Sequence, residues 1–155
     1  MPANKIVVHN KDGKVLKGTT VDFSPSKPVF HLSEGILGCE VRKIFVDNLK
    51  GLFFVKSFDG NKNYNEIKGF FDSKRAGKRI KVIFKDGELI NGYTHVVNFE
   101  HLGFFFVPSD PNSNNERIFA VFSSIHKIKA DRKFLLKRKA SEMIRIYGIN
   151  YSERM

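Results

Sequence analysis

Ile80-Lys-Val-Ile-Phe-Lys-Asp-Gly-Glu-Leu-Ile-Asn-Gly-Tyr-Thr94 decides how this chain is read. It reads as a strand, a Lys85-Asp86-Gly87 turn, and a second strand interrupted by Gly92. An Asp-Gly pair suits a tight hairpin because glycine accepts positive φ. Nearly the same sentence runs from Ile6 to Thr20. Shifted by 74 residues, Ile6, Val8, Lys11, Asp12, Gly13, Gly18 and Thr20 fall on Ile80, Val82, Lys85, Asp86, Gly87, Gly92 and Thr94. The register continues with Phe30 on Phe104, and Ile44 and Phe45 on Ile118 and Phe119. A two-residue adjustment then places Leu49 and Leu52 on Ile125 and Ile128. A constant offset held over about 40 positions indicates an internal duplication.

Each copy carries the same order of local signals. Apolar strands are expected at 5–9 and 79–84, followed by the Asp-Gly turn and a strand holding Gly18 or Gly92. Glycine inside a strand marks a bulge, a bend or close backbone approach. Further strands are expected at 29–32 and 104–107, at 41–46 and 117–122, and at 49–55 and 125–129. Five short strands with a bent second one describe a small SH3-like or Sm-like barrel. The expected fold is mainly β: two tandem duplicated five-stranded barrels plus a C-terminal α-helix. The first barrel is assigned to 1–57, a packed linker to 58–78, the second barrel to 79–130, and an amphipathic helix with a frayed tail to 131–155. Asp131 can cap that helix and Gly148 can end it. Leu136, Ala140, Met143 and Tyr147 form its apolar face. The polar run at 108–115 reads as an exposed loop.

The chain has 155 residues, 41% of them hydrophobic, which suffices for a real core. Sixteen Phe and no Trp favour strands. The single cysteine, Cys39, has no intramolecular partner, as in a reducing compartment. No apolar run reaches the length of a membrane span or, near the start, of a signal peptide. These features set the expectation of a cytoplasmic protein. His9, His31, His95, His101 and His126 show no metal-ligand spacing, and no nucleophile–base pattern stands out. No catalytic residue, metal or cofactor is therefore assigned.

The net charge is +11, which favours polyanionic partners. Residues 1–73 carry 11 basic and 8 acidic side chains, whereas residues 74–129 carry 9 and 5. Lys74-Arg75-x-x-Lys78-Arg79-x-Lys81 is a basic cluster without an acid, and the expected helix adds Arg132, Lys133, Lys137, Arg138 and Lys139. Such a patch contacts phosphates and gives steep salt dependence. Nucleic-acid binding is accordingly assigned to Lys74, Arg75, Lys78, Arg79, Arg132, Lys133, Lys137 and Arg138. The alternative is a protein-interaction adaptor whose contacts are Phe58, Tyr64 and Tyr93, read as exposed aromatics, with Asn112 and Asn114.

Three resemblances accompany these motifs. Ile80-x-Val82-x-Phe84-Lys-Asp-Gly87-x-x-Ile90-x-Gly92 resembles the first half of an Sm motif, and Leu49-Lys50-Gly51 resembles the hydrophobic-basic-Gly element of its second half. That resemblance implies a small barrel and a base gripped between the two loops. Where the family places Asp-x-x-hydrophobic-Asn the second copy has Glu100-His-Leu-Gly103, and Ile125-His126-Lys127 replaces hydrophobic-basic-Gly. Arg75-x-x-x-Arg79 resembles the arginine pair by which PilZ domains grip cyclic di-GMP. The whole chain also resembles an uncharacterised bacterial family through the motifs at 11–20, 85–94, 53–64 and 110–119. Its members sometimes stand beside PilZ modules, which implies a signalling context and no established activity.

Overall fold

The computed structural model describes residues 4–35, 40–60, 77–95, 97–130, 145–146 and 148–152. The fold is mainly β. Strands β1 (Asn4–Asn10), β2 (Val15–Thr20), β3 (Val29–Glu34), β4 (Glu40–Phe45) and β5 (Leu49–Val55) make the first half. Strands β6 (Lys78–Phe84), β7 (Leu89–Thr94), β8 (Gly103–Pro108), β9 (Asn115–Val121) and β10 (Ile125–Ala130) make the second. A short β11 (Asn150–Ser152) follows. One 3-10 turn joins the last two strands of each half, at Val46–Asn48 and at Phe122–Ser124.

All eleven strands belong to one sheet, ordered β11-β10-β6-β7-β8-β9-β5-β1-β2-β3-β4. The first ten pair antiparallel; β11 joins β10 in parallel. Two tandem five-stranded barrels were expected, and the sheet is built otherwise. The strand that would close each barrel pairs outside its own half: β5 lies against β9, with Gly51 opposite Ala120 and Phe53 opposite Ile118.

The physical reason is that β5 and β9 are apolar on both faces, in the runs Leu52-Phe53-Phe54-Val55 and Ile118-Phe119-Ala120-Val121. A strand with two apolar faces needs cover on both. Leu52, Phe54, Phe119 and Val121 enter one core with Ile6, Val8, Phe30 and Leu32. Phe53, Val55, Ile118 and Ala120 enter the other with Ile80, Val82, Phe84 and Phe106. The two cores thus lie on opposite faces of a shared pair of strands.

The glycines explain two local features. Gly13 and Gly87 take φ of 93° and 94° at their hairpin turns, as the Asp-Gly reading requires. Gly92 makes no bulge: it sits in regular register between Ile80 and Pro108. A Cβ there would lie 2.3 Å from the Val107 carbonyl oxygen, and one on Gly18 would lie 2.3 Å from that of Ser33. Close approach of the neighbouring strand therefore demands these two residues.

Other expectations are corrected. The run at 108–115 is not a wholly exposed loop, since Ser109, Asp110 and Ser113 are buried. Its polar groups fold inward as turns, with the Asn112 N–H donating to Asp110 Oδ1 at 2.9 Å and the Asn115 N–H to Ser113 Oγ at 3.1 Å. Residues 149–152 are not frayed, because Ile149 is buried in the second core and β11 satisfies the edge of β10. The expected C-terminal helix falls outside the described residues except for Arg145 and Ile146, which are helical and exposed. Most of the linker also lies outside them; Phe58, within them, packs against the second core.

Candidate functional site

Among the residues assigned to nucleic-acid binding, Lys78 and Arg79 are described and stand exposed at the start of β6. Lys74, Arg75, Arg132, Lys133, Lys137 and Arg138 lie outside the described residues. Strand alternation then extends the basic set. Ile80, Val82 and Phe84 turn into the core, so Arg79, Lys81 and Ile83 occupy the opposite face of β6. Ile128 and Ala130 do the same for β10, leaving Lys127 and Lys129 on that opposite face. The register sets Lys81 directly across from Lys129, and Lys127 across from Ile83.

Directly opposed residues on neighbouring strands hold their Cβ atoms about 5 Å apart, and like charges so placed repel. Neither Lys81, Lys127 nor Lys129 has an ion-pair partner among the described residues. The next strand outward, β11, sets Asn150 beside Lys127 and Ser152 beside Lys129, which adds no negative charge. Three lysines and Arg79 therefore share one face of the β6–β10 pair. The sequence held the alternation that shows this. What it lacked was the neighbour relation of β6 and β10, which are more than 40 residues apart in the chain.

A second feature lies where the two halves meet. The Lys11-Asp12-Gly13 and Lys85-Asp86-Gly87 turns face one another across a cleft of about 530 Å³, lined also by His9, Lys50, Ser123 and Ser124. The turns are held alike: Lys11 N–H donates to the Asn48 carbonyl at 3.0 Å, and Lys85 N–H to that of Ser124 at 2.8 Å. Lys50 crosses between the halves, its Nζ 2.6 Å from Asp86 Oδ2 and 2.7 Å from Glu88 Oε1. It also lies 4.8 Å from the centre of the Phe84 ring. Ser124 Oγ lies 2.7 Å from the Lys50 carbonyl oxygen, and Ser123 Oγ donates to Asp47 Oδ1 at 3.4 Å.

The electrostatics of this cleft are balanced rather than basic. Burial works against the charge on Lys50, but its hydrogen bonds to Asp86 and Glu88 outweigh it and raise the pKa above the usual lysine value. Burial would raise the Asp86 carboxyl, yet the Lys50 hydrogen bond holds it below the ordinary range. His9 is pushed below its ordinary value, first by burial and then by the Lys50 charge. Its ring meets Phe53 edge-on with centroids 4.5 Å apart. Lys50, quoted from the sequence as part of a base-gripping element, is here engaged in joining the halves.

Of the residues assigned to protein interaction, Phe58 and Asn114 line one groove. Tyr93 is not an exposed aromatic; it is 4% exposed within β7. Tyr64 lies outside the described residues. Phe58 is half-buried, and its carbonyl accepts a hydrogen bond from Lys17 Nζ at 2.8 Å. Asn114 clamps Ser57, donating from Nδ2 to its carbonyl at 2.9 Å and accepting from its N–H at 3.1 Å. Asn112 is exposed. Among the described residues no three His, Cys, Asp or Glu converge on a metal-sized site, and no helix is long and apolar enough to cross a membrane.

Compared with known proteins, residues 2–130 match a family described as "Family of unknown function (DUF6982)". No curated protein and no solved structure matches the chain significantly.

Proposed function

The chain belongs to the family of unknown function DUF6982, and we propose that it is a non-enzymatic binding protein that takes nucleic acid, by its phosphates, on the outer face of β6 and β10. The observation that carries this reading is the direct opposition of Lys81 and Lys129, flanked by Arg79 and Lys127, with no acidic residue paired to these lysines among the described residues. Such an arrangement gains most from a ligand that brings a row of negative charges. The net charge of +11 supports the same choice of partner. The charge-balanced cleft between the turns is less suited to a polyanion, because Lys50 is already neutralised by Asp86 and Glu88.

The same reading takes the halves as copies of one Sm-like unit. The 74-residue register and the repeated strand order, β5-β1-β2-β3-β4 beside β10-β6-β7-β8-β9, support it. In this reading the Lys-Asp-Gly turns and Lys50 serve assembly, and binding falls to the second copy's outer face. The arginine pair Arg75 and Arg79 adds cyclic di-GMP to the anions worth trying.

The test is a fluorescence-anisotropy titration of single-stranded RNA, single-stranded DNA and duplex DNA at 50 and 200 mM salt. The reading expects binding at low salt that weakens steeply at high salt, and at least tenfold weaker binding by Lys81→Gln/Lys129→Gln. Absence of binding at 50 mM salt, or a double variant that binds as tightly as the parent, ends it.

A further inference from the structure

One arginine stands on an aromatic floor with its donors unused. Arg117 lies near the start of β9, and alternation puts it on the face of Phe119 and Val121, toward the first core. Its neighbour Glu116 falls on the opposite face. The register sets Arg117 directly across from Phe54 of β5. Its Cζ lies over two rings, 4.2 Å from the centre of Phe54 and 4.7 Å from that of Phe105. Those rings are 5.7 Å apart, and Phe23 meets them at 6.2 and 6.0 Å. Contact with two rings holds the guanidinium in place and leaves its in-plane N–H donors for another partner.

No protein group takes those donors. Arg117 has no ion pair or hydrogen-bonding partner for its side chain among the described residues. The carboxylate of Asp22, beside Val21 and Phe23 in the chain, is already engaged. Its Oδ1 accepts from the His31 N–H at 2.9 Å and from the Thr20 hydroxyl at 3.2 Å, and its Oδ2 lies 2.7 Å from His31 Nδ1.

Arg117 lines a cavity of about 180 Å³ together with Phe23, Pro25, Phe54, Phe105 and Asn4. Among the described residues it is the one charged group of that lining. We propose that this cavity binds a small aromatic carboxylate, its ring against the phenylalanines and its carboxylate on the Arg117 fork. Three properties select that class. A cavity of about 150 Å³ takes up benzene, so the volume suits one ring with one small substituent. A planar guanidinium meets a carboxylate with two parallel hydrogen bonds. One cation balances a monoanion, whereas the second charge of a phosphate would enter a cavity with no other cation in its described lining. In the sheet order β7 and β8 separate β9 from the β6–β10 pair, so this site is distinct from the lysine face.

The test titrates benzoate into the full chain and follows the Arg117 Nε–H and the Phe54 and Phe105 ring resonances by NMR. Saturable binding at millimolar benzoate, with shifts at all three residues, is expected. Benzylamine keeps the ring without the anion and acetate keeps the anion without the ring; each should bind at least tenfold more weakly. Arg117→Gln should weaken benzoate binding at least tenfold. Arg117→Lys, which keeps the charge and loses the fork, should weaken it too. Arg117 is exposed, and thermal midpoints report that both variants keep the fold. Asn4→Asp sets a carboxylate on the same cavity and should weaken binding with Arg117 intact. Lys81→Gln/Lys129→Gln should leave it unchanged. No saturation, equal binding of benzylamine or acetate, or parental affinity in Arg117→Gln would each overturn the proposal.

Discussion

Lys50 Nζ lies 2.6 Å from Asp86 Oδ2, so the last strand of the first half is ion-paired to the first turn of the second. Glu88 shares the same ammonium at 2.7 Å. The lysine is largely covered, at 13% side-chain exposure, whereas its partners are about half exposed. Both carboxylates therefore keep water when the lysine is lost, and the pair contributes modestly.

Lys50→Met retains an apolar stem against Phe84 and removes the charge. The expected loss is about 1 kcal/mol of unfolding free energy. Urea unfolding at low and high salt measures it, with the gap between parent and variant narrowing as salt rises.

Acid should weaken the fold in two stages. His9 is held below its ordinary 6.5 by burial, then by Lys50, while Glu88 and Asp86 pull the other way. The unfolded chain then binds the proton first, so stability falls as pH drops below about 6.5. Asp86 is held below its ordinary 3.8, so its contribution is complete above that value and is lost as pH falls through the lower folded one. His9→Gln should flatten the first stage and leave the second, as read by thermal midpoints across pH.

Phe119 and Phe45, 74 residues apart, should differ sharply. Phe119→Ala empties a fully buried position, at a cost of about 3–5 kcal/mol. Phe45→Ala trims a side chain that is half exposed and should cost well under half as much. Chemical denaturation of the two variants side by side checks the ratio.

Gly87→Ala and Gly92→Ala separate two reasons for glycine. At Gly87 a Cβ meets nothing within 4 Å, so the cost is the positive φ alone, about 1–2 kcal/mol. At Gly92 a Cβ would overlap the Val107 carbonyl, and the strands must part, at about 3 kcal/mol or more. Hydrogen exchange of the β7 and β8 amides should rise in the second variant only.

On the basic face, each lysine removed should lower the slope of log affinity against log salt by about 0.7 for single-stranded nucleic acid. Lys81→Gln and Lys129→Gln measured singly and together test whether the two act on separate phosphates. Additive slopes are the expected result.

Much of the fold is legible in the chain. Ten strands fall close to where apolar runs and turn residues place them, because alternation and Asp-Gly chemistry act over a few residues. The partnership of β5 and β9 was harder to read. Its signal was present as two runs apolar on both faces, but a run of that kind names no partner. The candidate site shows the same division. Lys78 and Arg79 stand out as a local charge run, while Lys127 and Lys129 join them only through the pairing of β10 with β6. Ile149 looked like part of a tail because a single apolar residue after Gly148 carries no periodicity; the second core is what buries it.

The sequence by itself determined the strands, the two Asp-Gly hairpins and the 74-residue echo between Lys11-Asp12-Gly13 and Lys85-Asp86-Gly87, since each depends on local backbone preference and spacing. Only the tertiary structure decided that these turns face each other across one cleft, that Lys50 ties the first half to Asp86, and that Lys81 stands against Lys129. Those relations follow from which strand edges meet. That choice is settled by burying both faces of β5 and β9 at once, a requirement spread over residues more than 60 apart in the chain.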